Sequence, residues 1–239
     1  MENAIIMASG LGTRMRPLTL TTPKPLIKVH GIPMVESVVC GLKKRGVEHI
    51  YVVVGYLSEQ FSYLLDKYDG LSILKNPEYE TVNNISSVYT AKSVLGEGDC
   101  FICEADLFVY DDTIFRAELS ESCYYGKMVR GYSDDWVFEQ DGNGVITRVG
   151  KGGIDCFNMV GIAYFRQPEA RLLKRAVEEQ YAMGGYEEMF WDDVVNENLD
   201  RIKLKVHEVS AGRIIEIDTV DELQKVNGDR KNFHKSVDK

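Results

Sequence analysis

Long hydrophobic runs are missing from this sequence. The longest apolar stretches, Ala4 to Ala8 and Ile50 to Val54, fall far short of the ~18 residues that suggest a membrane-spanning helix. A basic excess is missing too: 28 Lys and Arg face 37 Asp and Glu, a net charge of -9, so the average field repels polyanions. Nucleic acid and anionic membrane are therefore not expected as partners. The N-terminus, Met1-Glu2-Asn3, carries neither a basic segment nor an apolar segment of signal-peptide length, and we expect a cytoplasmic protein. Cysteine is sparse and odd in number: Cys40, Cys100, Cys103, Cys123 and Cys156 fit reduced thiols better than a disulfide framework. Cys100 and Cys103 form a C-x-x-C, but Phe101 and Ile102 read as strand, and no second pair or histidine cluster completes a zinc or redox site.

What remains is an ordinary globular composition, 239 residues at 44% hydrophobic, enough for a sizeable core. Strand and helix patterns alternate through the first half. Ala4 to Ala8, His49 to Gly55, Leu71 to Leu74 and Cys100 to Glu104 read as strands; Pro33 to Arg45, Glu59 to Tyr68 and Ser87 to Leu95 read as helices. That order predicts an α/β fold, a Rossmann-like three-layer α/β/α arrangement on a mixed, mostly parallel sheet. The second half adds short strands at Tyr124 to Tyr132, Asp135 to Glu139, Val145 to Val149 and Phe157 to Phe165, then helices at Pro168 to Tyr181 and Met189 to Asn198. Leu204 to Val209 and Ile214 to Ile217 supply the last strands. We expect one domain over residues 1–228 with a small β insertion, followed by a polar tail at 229–239.

Directly after the first strand stands A-S-G-L-G-T-R-M-R-P-L-T-L-T-T-P-K-P-L-I-K, Ala8 to Lys28. Two glycines let backbone N–H groups approach phosphate oxygens, and Arg14 and Lys24 add the charge an anionic ligand needs in an acidic protein. Neither a Walker loop nor a complete dinucleotide fingerprint is present. Later, Glu104-Ala105-Asp106 and Glu216-Ile217-Asp218 each close a strand, where ligands sit in open α/β sheets. A hard cation such as Mg²⁺ takes carboxylate oxygens of this kind, although Asp218 could instead cap the helix that begins at Thr219. Both tryptophans lie among carboxylates, in Asp134-Asp135-Trp136 and in Tyr186 to Asp193. Rings beside carboxylates suit a quaternary ammonium, which cannot donate hydrogen bonds; the alternative is that Phe190 and Trp191 are helix core.

The Ala8 to Lys28 segment resembles the signature of nucleotidyltransferases, which join an NTP to a phosphorylated acceptor and release pyrophosphate. The resemblance is nearest to the bacterial choline-phosphate cytidylyltransferases. It is carried by G-L-G-T-R-M-R-P-L-T, V-G-Y-L-S-E-Q-F, N-N-I-S-S-V-Y, the Trp136 segment, F-W-D-D-V-V and E-I-D-T-V-D-E, from Ala4 to about Lys225. It implies a triphosphate cradle of Ala8, Gly10, Gly12 and Arg14, with Lys24 near the transferred phosphoryl group. It implies Mg²⁺ on Asp106 and Asp218, a catalytic set of Arg14, Lys24, Asp106 and Asp218, and cytidine held by Asn84 and Ser87. A box of Trp136, Phe190 and Trp191 with Asp192 would hold the acceptor head group; where a tyrosine often precedes the family's tryptophan, this sequence has Phe190. The expected reaction is CMP transfer from CTP to phosphocholine, giving CDP-choline and pyrophosphate, in a monomer or homodimer. 2-Aminoethylphosphonate or phosphoethanolamine are the next acceptors, then a sugar 1-phosphate. A non-catalytic nucleotide-binding module is the rival class, disfavoured by the joint presence of Arg14, Lys24, Asp106 and Asp218.

Overall fold

The structure is a computed structural model and describes residues 2–229. Strand β1 (Glu2–Ala8) leads into a loop of short 3-10 turns, then a two-residue hairpin, β2 (Lys28–Val29) with β3 (Ile32–Pro33). Helix α1 (Met34–Arg45) follows, then β4 (His49–Val54), α2 (Tyr63–Lys67), β5 (Leu71–Lys75), α3 (Ile85–Thr90), β6 (Asp99–Glu104) and β7 (Leu107–Val109). The second half holds β8 (Cys123–Gln140), β9 (Ile146–Phe165), α4 (Gln167–Met183), α5 (Trp191–Glu197), β10 (Lys205–Glu208), β11 (Ile214–Glu216) and α6 (Val220–Gly228). A seven-stranded sheet runs in the order β10-β8-β9-β6-β1-β4-β5. Its β6-β1-β4-β5 part is parallel throughout, and β9 runs antiparallel to both β6 and β8.

β1 reads as an unbroken apolar run because both faces of the sheet are covered. Ala4, Ile6 and Ala8 pack on the side of α1, with Val35, Val38, Val39 and Leu42. Ile5 joins the opposite cluster, built with Val88 of α3, Leu173 of α4 and Val194 of α5. Each Val, Leu or Ile among them contributes roughly 1.5–3 kcal/mol on full burial. The result is the α/β/α sandwich that the alternating pattern predicts. α1 stops at Gly46, whose φ of 96° and amide bonds back to Leu42 and Lys43 close the last turn. Cys100 and Cys103 lie buried in β6, and burial pushes the Cys100 thiol up to about 12, which leaves it an inert core group.

The β insertion differs from expectation. Four short strands are predicted where two strands of 18 and 20 residues stand. Left-handed residues at Gly131, Gly152 and Asp155 kink the ladder without ending it. Val137 thus pairs with both Gly150 and Asn158, and Phe138 with both Val149 and Phe157. β7 was not foreseen either; it continues the apolar Leu107-Phe108-Val109 and pairs antiparallel with β11. That small ladder brings Glu216 opposite Leu107, next in space to the end of β6. Of the expected polar tail, residues 230–239 lie outside the described residues. No helix among the described residues is long and apolar enough to cross a membrane.

Candidate active site

A cavity of about 650 Å³ opens at the carboxyl ends of β1 and β6. Its lining joins the loop after β1, the start of α3, the ends of β6 and β11, the bent β8-β9 layer and the entry to α5. Ala8, Gly10, Gly12, Arg14, Lys24, Asn84, Ser87, Asp106, Trp136, Phe190, Asp192 and Asp218 all line it; Trp191 does not.

The loop is shaped for an anion. Among the described residues the backbone amides of Gly10, Leu11 and Gly12 donate to no acceptor, which leaves three donors available to an anion. Gly12 has φ 60°, and a Cβ there would lie 2.9 Å from Lys24 Cβ and 3.0 Å from Thr19 Cγ2. Only glycine lets the loop close over Lys24, a closure also held by the 2.8 Å bond from Thr19 Oγ1 to the Gly12 carbonyl.

Lys24 is the hub of the charged wall. Its Nζ donates to Asp106 Oδ2 at 2.7 Å and to Asp218 Oδ1 at 2.6 Å, and Arg14 reaches the same Asp218 oxygen at 2.7 Å. Burial works to lower the Lys24 pKa, but the charges and hydrogen bonds of the two aspartates outweigh it and leave it raised. Asp218 does not cap the following helix: Thr219 Oγ1 accepts from the Glu222 amide and Glu222 reaches back to the Thr219 amide. Its carboxylate is therefore free for the cations.

Two carboxylates join this wall whose chemistry the sequence motifs had left aside. Glu104, Asp106 and Glu216 each offer an oxygen, and these lie within 4.8 Å of one another. Asp106 Oδ1 is buried with no hydrogen-bond partner. Gly161 faces them with φ 74°; a Cβ there would meet Glu104 Oε2 at 2.7 Å, so glycine leaves this carboxylate its room. Burial, then the charges of Asp106, Glu216 and Asp192, push the Glu104 carboxyl well up. Enclosure by the cavity walls, then Asp106 and Asp218, bring Glu216 up to about 8 despite its exposed edge. Crowded oxygens with an orphaned lone pair are the donor set a hard divalent cation takes, so the residues present fit Mg²⁺.

Asn84 and Ser87 reach the cavity wall, yet part of their polar capacity serves the frame. Ser87 Oγ bonds Ser9 Oγ at 2.8 Å, and Asn84 Oδ1 accepts from the Trp191 amide at 2.9 Å. Phe190 has no side chain to cap α5, and Asn84 supplies that cap from across the chain. Asn83 adds bonds to the Glu187 and Glu188 carbonyls. A stack of Tyr89, Tyr181 and Tyr186, with ring centroids 3.6 and 3.9 Å apart, further ties α3 and α4 to the segment entering α5.

The aromatic box is corrected by the structure. Trp136 and Phe190 meet edge to face at 5.3 Å on the cavity wall. Trp191 is 3% exposed and packs against Tyr124 and Phe165 in the core behind it. The first turn of α5 explains this: Trp191, Val194 and Val195 share the buried face, and Asp192 is carried round toward the cavity. Asp192 is 2% exposed and accepts a 2.9 Å bond from the Tyr124 hydroxyl, a partner the sequence did not flag. Burial, relieved in part by Tyr124, pushes its carboxyl up to about 7. Lys151, also not anticipated, stands 5.9 Å from the Trp136 ring centre and 5.7 Å from that of Phe190.

The nucleotidyl transferase family profile matches residues 3–132. The 2-aminoethylphosphonate cytidylyltransferase of Lancefieldella rimae is 52% identical over 92% of this chain and 90% of its own. The choline-phosphate cytidylyltransferase of Streptococcus pneumoniae is 33% identical over 96% of this chain and 98% of its own. A solved structure of the CTP:phosphocholine cytidylyltransferase from the same species superposes with a TM-score of 0.88, at 30% identity, covering 95% of this chain and 98% of that one. A loop with free amides, a lysine clasped by two aspartates and a full-length match to such relatives agree: the chain belongs to the nucleotidyl transferase family, as an enzyme of its cytidylyltransferase branch.

Proposed function

We propose that the protein transfers CMP from CTP to a small acceptor bearing an ammonium and a phosphonate or phosphate, and that 2-aminoethylphosphonate is preferred to phosphocholine. The observation that carries the choice is the burial of Trp191 behind Asp192. Two rings remain where a cage needs more walls, while Asp134, Asp135 and Asp192 line the same cavity. A primary ammonium can donate to those carboxylates; a trimethylated one cannot and relies on ring faces. The 52% relative named for 2-aminoethylphosphonate supports the same reading.

An acceptor oxyanion attacks the α-phosphorus of CTP in line, a new P–O bond forms, and the bond to the pyrophosphate oxygen breaks with its electron pair leaving on pyrophosphate. The nucleophile is already an anion at neutral pH, so no general base is needed. The loop amides and Arg14 hold the triphosphate, Lys24 stabilises charge on the reacting phosphates, and Asn84 and Ser87 border the cytidine. Asp106 and Asp218, with Glu104 and Glu216 beside them, would hold Mg²⁺, which would supply positive charge to offset that of the reacting phosphates.

Pyrophosphate release with CTP and Mg²⁺ tests the reading. We expect kcat/KM for 2-aminoethylphosphonate at least about tenfold above that for phosphocholine, with glucose 1-phosphate inert. A reversed preference would return the acceptor to choline and leave the nucleotide assignments standing.

Asp192 gives a pH signature. Its ammonium partner needs the ionised form, so acceptor kcat/KM should fall as pH drops through about 7, where the buried carboxyl takes up its proton. Asp192→Asn should flatten that limb, which separates it from ionisation of the acceptor itself; an unchanged profile in the variant would remove Asp192 from acceptor binding. In stability the sign is opposite: a carboxyl raised on folding contributes fully below its ordinary value of 3.8, and that contribution is lost as pH rises from there to about 7.

A further inference from the structure

A chain of buried polar groups runs behind the wall where Ser87 stands, and the cavity meets only its end. Asn76 follows β5, is 2% exposed and does not line the cavity. Its Oδ1 accepts from the Glu78 amide at 2.9 Å. A backbone amide only donates, so this bond fixes which end of the side chain is oxygen and turns the NH₂ inward. That NH₂ donates to Ser86 Oγ at 2.8 Å and to Ser9 Oγ at 3.4 Å. Ser86 passes its own proton to the Asn83 carbonyl at 2.7 Å, which closes that branch. The other branch stays open: Ser9 Oγ and Ser87 Oγ lie 2.8 Å apart, and both residues line the cavity.

Two hydroxyls carry two protons, and the bond between them uses one. Asn76 cannot take the second, because it is itself the donor there, and among the described residues no other acceptor receives it. One O–H is therefore left for a ligand in the cavity, and a buried donor that finds no acceptor destabilises the complex. Cytosine and uracil differ at this kind of contact, since N3 of cytosine is a bare acceptor and N3 of uracil carries a hydrogen. We propose that Asn76 sets the base preference from behind the wall, by holding the Ser9–Ser87 pair as a donor toward N3 of cytosine. The inference rests on the reading that Ser87 borders the cytidine; Asn76 is then a positioning residue, and the identity of the acceptor does not enter.

Asn76→Asp keeps the shape and the acceptor for Glu78 but reverses the chain. An ionised carboxylate only accepts, so Ser9 turns its proton to the new carboxylate, Ser87 donates to Ser9, and lone pairs alone face the base. The ratio of kcat/KM for CTP to that for UTP, read at about pH 8 with one saturating acceptor, should fall at least about tenfold. Ser9→Ala breaks the link and lets the Ser87 hydroxyl turn either way, so its ratio should lie between those of the wild type and Asn76→Asp. Lost stability or added negative charge weakens both nucleotides alike and does not move the ratio. The wild-type ratio retained in either variant would overturn the relay. Calorimetric titration of CMP and UMP into wild type and Asn76→Asp, with unfolding midpoints recorded, reads the same preference without turnover, and equal losses for the two nucleotides would overturn it too. A wild type that uses CTP and UTP alike would instead overturn the cytidine reading itself, an outcome distinct from failure of the relay.

Discussion

Asp106→Asn is expected to lower kcat by about three orders of magnitude, equivalent to ~4 kcal/mol of transition-state stabilisation, while the protein still unfolds cooperatively near the wild-type midpoint. The asymmetry comes from what each Asp106 oxygen does. Oδ2 accepts from Lys24 at 2.7 Å, a bond an amide oxygen can still accept, and Oδ1 has no partner to lose. The change therefore keeps the shape of the wall and removes its charge. That charge fixes the Lys24 ammonium and completes the oxygen cluster with Glu104 and Glu216. Steady-state pyrophosphate release together with thermal unfolding checks both halves. Activity within tenfold of wild type would show that Asp106 only positions Lys24.

How far the sequence already carried this site depends on the kind of signal each residue leaves. The loop from Gly10 to Lys24 was legible because an anion cradle constrains local chemistry: glycine where φ is positive, and cations close in sequence. The sandwich was legible because β1, β4 and β6 are apolar on both faces and alternate with amphipathic helices. Asp218 was placed correctly at its strand end but with its capping role open, and Thr219 closes that question through the Glu222 pair. Trp191 was misplaced because one residue along a helix turns a side chain by about 100°, and the F-W-D-D segment does not say which member faces inward. The apolar positions of α5 do: Trp191 keeps company with Val194 and Val195 three and four residues on. Tyr124 and Lys151 left no local signal: Tyr124 meets Asp192 inside the core, and Lys151 reaches the cavity only through the pairing of β8 with β9. The kinked register of those strands defeats a reading in which Gly131 and Gly152 end a strand, when they bend it.

Lys24→Met carries the second large effect, and it separates electrostatics from catalysis in one protein. Lys24 is 9% exposed and is the shared donor of Asp106 and Asp218. Its removal leaves those carboxylates, beside Glu104 and Glu216, with Arg14 on Asp218 as the wall's remaining cationic partner among the described residues. Breaking a mostly buried pair from one side costs about 3–5 kcal/mol, and the partly open aspartates reduce this to roughly 2–3 kcal/mol through solvent screening. Turnover should fall by about 10²–10³-fold, because a fixed donor to the developing phosphate charge is gone. The two losses respond differently to Mg²⁺ alone. A cation entering the crowded oxygens relieves their repulsion, and in the wild type it must first compete with the Lys24 ammonium for Asp106 and Asp218. Mg²⁺ without nucleotide should therefore raise the unfolding midpoint of Lys24→Met more than that of the wild type, following RT ln(1 + [L]/Kd) for a ligand of the folded state. Activity should stay low at every Mg²⁺ concentration, since the methionine offers no donor to phosphate. Equal midpoint shifts in the two proteins would mean that lysine and cation do not share these oxygens, and that Lys24 stands apart from the metal position it spans here.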